Sequence, residues 1–164
     1  MTRSRPTVLG AIGAAAVFAA AVGAAAAIGA LTASSSAEQY AVLRRPSWSP
    51  PSWLFGPVWT VLYVLIAIAG WRAWYVSARR GSEQRRWLPW YAVNLVLNAL
   101  WPPLFFGAGA RKVALGEIVL LDLVTAATVV VLWRIDRPAA LLLLPYLIWT
   151  VFATALNGAI VALN

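Results

Sequence analysis

The first chemical fact of the 164-residue sequence is what it lacks, since it contains neither histidine nor cysteine. That removes thiol nucleophiles, disulfides, zinc fingers and histidine-based triads. The acids are Glu38, Glu83, Glu117, Asp122 and Asp136, and no cluster of them has metal-ligand spacing. Glu117 and Asp122 share one apolar stretch. At about 100° per residue a helix points them about 140° apart, so they do not form a paired-carboxylate site. Asp122 falls near mid-stretch, where a charge is costly and often functional; it either acts there or bonds to a polar group on a neighbouring helix. Glu117, nearer the end, is expected to contact the membrane interface or Arg111. The serines lie in termini and connecting segments.

Tryptophan and asparagine are what the sequence offers instead, with ten tryptophans in the chain. Trp59 and Tyr63 lie one helical turn apart. Asn94, Asn98 and Trp101 share a helix face, as do Tyr146, Trp149, Ala153 and Asn157. An amide inside a membrane span must find a partner, so these faces look inward. Two arrangements satisfy the spacing. One is a cavity for a flat ligand with polar edges. The other is interhelical packing by aromatics with asparagine as a hydrogen-bonded tie.

The elements that must position these residues follow from composition. Hydrophobic residues make up 62% of the chain and charged residues 11%, against roughly 45–50% and about 25% in a soluble domain. Mean hydropathy is +0.78. Too few charges remain to coat a soluble globule. The sequence therefore predicts an all-α membrane protein, a single domain over 1–164. Five stretches are long enough to span a bilayer: 8–31, 56–76, 88–106, 113–133 and 139–163. Pro57, Pro89 and Pro138 fall in first turns, where a missing N–H is harmless. Pro102 and Pro103 fall in the last turn of the third helix, and Pro145 is expected to kink the fifth. The first stretch follows Arg3 and Arg5 and ends in small residues up to Ala37, like a signal peptide. It exceeds the roughly 7–15 residues of a signal core and is read as a retained helix.

The formal charge is +8. The cations sit between apolar stretches, which points to membrane orientation and not to nucleic acid. With five spans, one side carries Arg3, Arg5, Arg79, Arg80, Arg85, Arg86, Arg134 and Arg137. The other carries Arg44, Arg45, Arg111 and Lys112. Eight against four predicts a multi-pass cell-membrane protein with a cytoplasmic N-terminus and an external C-terminus. Arg72 is placed to snorkel to the eight-charge side. The longest connection, 32–55, holds Tyr40, Trp48 and Trp53 among Pro46, Pro50 and Pro51. Its composition fits a lid over the bundle and equally an aromatic belt at the interface.

Three blocks carry a resemblance. The first is Pro46-Ser47-Trp48-Ser49-Pro50-Pro51, with Trp53, Phe55-Gly56-Pro57-Val58-Trp59-Thr60 and Leu62-Tyr63. The second is Leu97-Asn98-Ala99-Leu100-Trp101-Pro102-Pro103 with Phe105-Phe106-Gly107. The third is Pro145-Tyr146-Leu147-Ile148-Trp149 with Phe152-Ala153 and Leu156-Asn157. In order and spacing they resemble the TspO/MBR family, the translocator proteins or tryptophan-rich sensory proteins. The resemblance implies a bundle of five transmembrane helices with a loop lid between helices 1 and 2, commonly a homodimer. It implies binding of a porphyrin such as protoporphyrin IX; many members also take cholesterol or isoquinoline-type ligands. In some bacterial members it implies light- and oxygen-dependent porphyrin breakdown. The cavity tryptophans look like Trp59 and Trp149, which would also be the catalytic pair if the protein is an enzyme. The pocket amide looks like Asn98, the lid positions like Tyr40 and Pro50, and a wall position like Ala153. Trp48, Tyr63, Trp101 and Tyr146 complete the expected ligand-binding set.

The sequence departs from the family at its end. The tyrosine and basic residue of the animal cholesterol motif are missing after Leu156, which argues against tight sterol binding of that kind. The family's helix-four acid appears as Glu117, and a tryptophan of animal members is Val113 here. The resulting expectation is a membrane receptor or sensor for tetrapyrroles, with photo-oxidation as an added activity and porphyrin transport as the alternative. Five helices do not divide into equal repeats, which weighs against transport. The ring would be ligand or substrate, not a resident cofactor. No protein metal site is expected, since the single methionine is Met1 and no histidine or cysteine exists to ligate a ring metal.

Overall fold

Each boundary in the computed structural model, which describes residues 6–35, 41–80 and 86–164, has a local cause. Thr7 caps the first helix, α1 (Val8–Ser35), its hydroxyl accepting from Gly10 N at 3.1 Å. A short 3₁₀ turn, Ser52–Leu54, leads into α2 (Phe55–Arg80). The third helix, α3 (Leu88–Pro102), has Pro89 in its first turn. At its other end Pro102 and Pro103 supply no N–H, and the chain widens into a π turn, Pro103–Gly107, closed by Ala108 N on Pro103 O at 2.8 Å. Gly109, at φ +62°, reverses the chain. The last two helices are α4 (Arg111–Trp133) and α5 (Arg137–Leu163). The latter runs without interruption through Pro145. No strand occurs among the described residues.

α1, α2, α4 and α5 are each long and apolar enough to cross a membrane. α3 has 15 α-helical residues, short of the roughly 20 that span the hydrocarbon core. The five-residue π turn that continues it restores the length predicted for the third stretch.

α1 packs on α2 and α3, α2 on α5, α5 on α4, and α4 on α3. The five helices thus close a ring in the order α1, α2, α5, α4, α3. At the arginine-rich end the ring is filled. Tyr91 and Trp87 meet edge to face at 5.7 Å, and Phe18 lies 6.0 Å from Trp87 and 5.5 Å from Tyr91. The Tyr91 hydroxyl donates to Ile66 O, the Trp87 indole to Ser77 Oγ, and the Trp71 indole to Ala11 O. Each polar tip of this aromatic plug is satisfied, as burial demands. Midway along, Asn94 Nδ2 donates to Thr125 Oγ1. Asp122 bonds to a neighbouring helix, its Oδ2 accepting from Thr154 Oγ1 at 2.7 Å. Of the two contacts expected for Glu117, the membrane interface and Arg111, the one with Arg111 does not form. Glu117 is buried with neither carboxylate oxygen hydrogen-bonded. Six residues on a helix separate the two directions by about 120°, and the Arg111 carbonyl faces α5, where Asn157 Nδ2 donates to it.

Arg72 reaches the eight-charge end, as its position predicts, through two bonds to Asp136 at 3.0 and 3.2 Å. Asp136 also caps α5, accepting from Ala139 N. The ion pair is partly exposed on the arginine side and contributes little. The cap should dominate, at about 0.5–2 kcal/mol. Asp136→Ala is therefore expected to lower the melting temperature clearly, and Asp136→Asn, which keeps a capping oxygen, much less. Equal losses in thermal melts would move the weight to the ion pair.

Candidate ligand-binding cavity

At the end opposite the plug the ring is hollow. A chamber of about 340 Å³ lies among all five helices. α2 contributes Trp59 and Tyr63, whose rings lie 5.3 Å apart and tilted by 30°. α3 contributes Asn98 and Trp101, and α5 contributes Trp149 and Ala153. Each group came from one of the predicted helix faces. Tyr146 stands behind the wall and does not line it. Its hydroxyl accepts from Asn98 Nδ2 at 3.0 Å, and its ring meets Trp59 edge-on at 6.3 Å.

The polar groups here are few and incompletely used. Asn98 Oδ1 has no hydrogen-bond partner, nor has the indole N–H of Trp101 or of Trp149. Buried polar atoms are paired in the great majority of cases. One acceptor and two donors set in aromatic walls suit a flat apolar ligand with polar edges.

Sequence reasoning missed several walls. α1 supplies Ala26, Gly29, Ala30 and Ala33, α2 supplies Phe55, the π turn supplies Phe106, and α4 supplies Ile118 and Leu121. Alanine and glycine carry no chemical signature, so nothing in the α1 sequence marked the cavity side. The clue lies in size, since only small residues leave room beside Trp59.

The loop between α1 and α2 contributes differently from expectation. Trp48 and Pro50 line no part of this chamber. Trp48 is half exposed and packs edge-on against Phe152 at 5.9 Å, and Trp53 is 71% exposed. Tyr40 lies outside the described residues. Loop residues Ala41, Arg45 and Ser52 instead line a second chamber of about 330 Å³ beside the first. The loop is tied to the end of α5 by a reciprocal amide pair. Arg44 N donates to Asn164 Oδ1 at 3.1 Å, and Asn164 Nδ2 donates to Arg44 O at 2.9 Å. Asn164→Ala is expected to speed tryptic cleavage between Arg44 and Arg45 severalfold without moving the melting temperature. An unchanged cleavage rate would show that the amide pair does not hold the loop.

A five-helix membrane bundle with a tryptophan-walled cavity at one end defines the class of protein. The TspO/MBR family model matches residues 15–163, and the chain belongs to that family. It is 41% identical to the Tryptophan-rich sensory protein of Cereibacter sphaeroides, over 90% of this chain and 89% of that protein. It is 40% identical to the human Translocator protein, over 72% of this chain and 70% of that one. Protein CrtK of Rhodobacter capsulatus is 38% identical, over 76% and 78% respectively.

Proposed function

We propose that the protein is a membrane receptor that binds a tetrapyrrole in the chamber between Trp59 and Trp149. The observation that carries this reading is the chamber itself. Indole and phenyl walls offer stacking surface, and Asn98 Oδ1 and two indole N–H groups offer unused edge contacts. Aromatic pairs contribute about 0.5–1.5 kcal/mol beyond their area burial. The ring is preferentially metal-free. With no histidine or cysteine in the chain, a ring iron finds none of the common axial ligands. The tie of Arg44 to Asn164 and the packing of Trp48 on Phe152 hold the described part of the α1–α2 loop near this end of the bundle, which supports a lid role for it. The N-terminus is cytoplasmic and the C-terminus external, on the eight-to-four cation split.

A second reading is favoured by one feature. Both Trp59 and Trp149 face the chamber, and among the described residues no acid, histidine or lysine lines it. The indoles offer electron donation there in place of carboxylate or imidazole proton transfer. A light-excited ring takes an electron from an indole and passes it to dioxygen, giving superoxide; the indole radical cation then takes an electron from the ring, and the ring radical cation combines with superoxide, so that oxygen is joined to the ring and the indole is restored. Illuminating the purified protein with protoporphyrin IX in air tests both readings. A red-shifted Soret band that persists supports a receptor. Loss of the band faster than in detergent alone supports breakdown. A Soret band unaltered by the protein contradicts both.

A further inference from the structure

The two chambers meet, and charge is divided unevenly between them. They share Ala33, Phe55, Trp101, Phe106 and Ala153 and so lie side by side. Each alone is at the lower end of the roughly 300–1,000 Å³ of ligand sites. Among the described residues, no charged one lines the first chamber. Among the described residues that line the second, Arg45 is the one cation and none is a carboxylate. Arg44, Arg111 and Lys112 lie at the same end of the bundle but line neither chamber. Buried Asn157 also lines the second chamber, and its Oδ1 has no partner.

We propose that the second chamber is the anion-reading half of one composite site. The occupant lays an apolar ring between Trp59 and Trp149 and extends a carboxylate into the second chamber, onto the Arg45 guanidinium. This rests on the tetrapyrrole reading and adds to it an orientation and a requirement for an acidic edge. A guanidinium meets a carboxylate through two parallel N–H···O bonds, which a single charge on a flexible stem does not reproduce. The amide pair between Asn164 and Arg44 fixes the backbone immediately before Arg45. The loop thereby delivers the cation to one place. Asn157 Oδ1 is an acceptor and suits a ligand N–H or a second, protonated acid group on the same edge.

The test compares protoporphyrin IX, a diacid, with its uncharged dimethyl ester. Affinity for each is measured by tryptophan quenching on the full-length protein and on Arg45→Gln, Arg45→Lys and Arg44→Gln. Arg45 is solvent-exposed, so the expected loss on Arg45→Gln is moderate, about 5- to 20-fold for the diacid. The ester should bind both proteins within about twofold. Arg45→Lys should recover part of the loss, and Arg44→Gln should change neither ligand. Equal losses for diacid and ester, or no loss at all, overturn the proposal while leaving ring binding intact. Failure of both rings to bind the unmodified protein overturns the tetrapyrrole reading itself.

Discussion

Replacing Trp59 and Trp149 together with phenylalanine is expected to abolish light-driven loss of a bound porphyrin while leaving binding reduced but measurable. Phenylalanine still packs against Tyr63, Tyr146 and Phe152, the rings that surround the two indoles. The Trp149 N–H has no partner, so its removal breaks no hydrogen bond within the protein. What is lost is part of the stacking surface, about 0.5–1.5 kcal/mol per residue or about 2- to 13-fold in affinity, and at Trp149 also an N–H edge contact of about 0.5–1.5 kcal/mol. Electron donation is lost far more completely, because a phenyl ring is much harder to oxidise than an indole. The decay rate of the Soret band under steady illumination in air reads the effect. A double variant that bleaches porphyrin at the unmodified rate would take the tryptophans out of the chemistry.

The second large effect lies at the plugged end. A methyl group built on Gly70 meets Phe18 Cδ1 at 2.6 Å and the Tyr91 ring tip at 2.7 Å. Neither ring has room to retreat. Phe18 is buried against Trp87, and the Tyr91 hydroxyl is anchored on Ile66 O. Overpacking of this kind costs about 1–3 kcal/mol. It outweighs the gain of about 1 kcal/mol that alanine brings to a helix over glycine. Gly70→Ala is therefore expected to lower the melting temperature, and Gly70→Val to do so more severely. Gly56, on the same helix, has nothing within 4 Å of an added Cβ. Gly56→Ala should be neutral or stabilising in the same thermal scan. Similar melting temperatures for the two alanine variants would contradict the account of this crossing.

The helices were legible because a span must be apolar for its whole length. Even the third stretch was found, since hydropathy does not distinguish an α-helix from the π turn that Pro102 and Pro103 impose. Trp59, Asn98 and Trp149 were legible as inward faces because an amide or indole in a span is conspicuous. Arg72 was legible because a lone cation near a helix end has one direction to reach. The α1 wall was not, because Ala26, Gly29, Ala30 and Ala33 look the same facing lipid or ligand. Tyr146 was read as a lining residue and lies one layer back, since spacing gives direction and not depth. Glu117 was expected at the membrane interface or on Arg111 from its nearness to the helix end, and the helix's rotation overrules the second of these. The loop was the least legible part. Arg45 carried no aromatic signature, and the Asn164 pairing joins residues 120 apart in sequence.

The central claim is that the tryptophan-walled chamber binds a metal-free tetrapyrrole. Its most direct test is a quenching titration of the purified protein with protoporphyrin IX, haem and cholesterol in parallel. The account predicts saturable quenching by protoporphyrin IX, haem binding no tighter than the free base, and quenching that falls when Trp59 and Trp149 are phenylalanine. Linear, non-saturating quenching by protoporphyrin IX, or haem binding far more tightly than the free base, would contradict it.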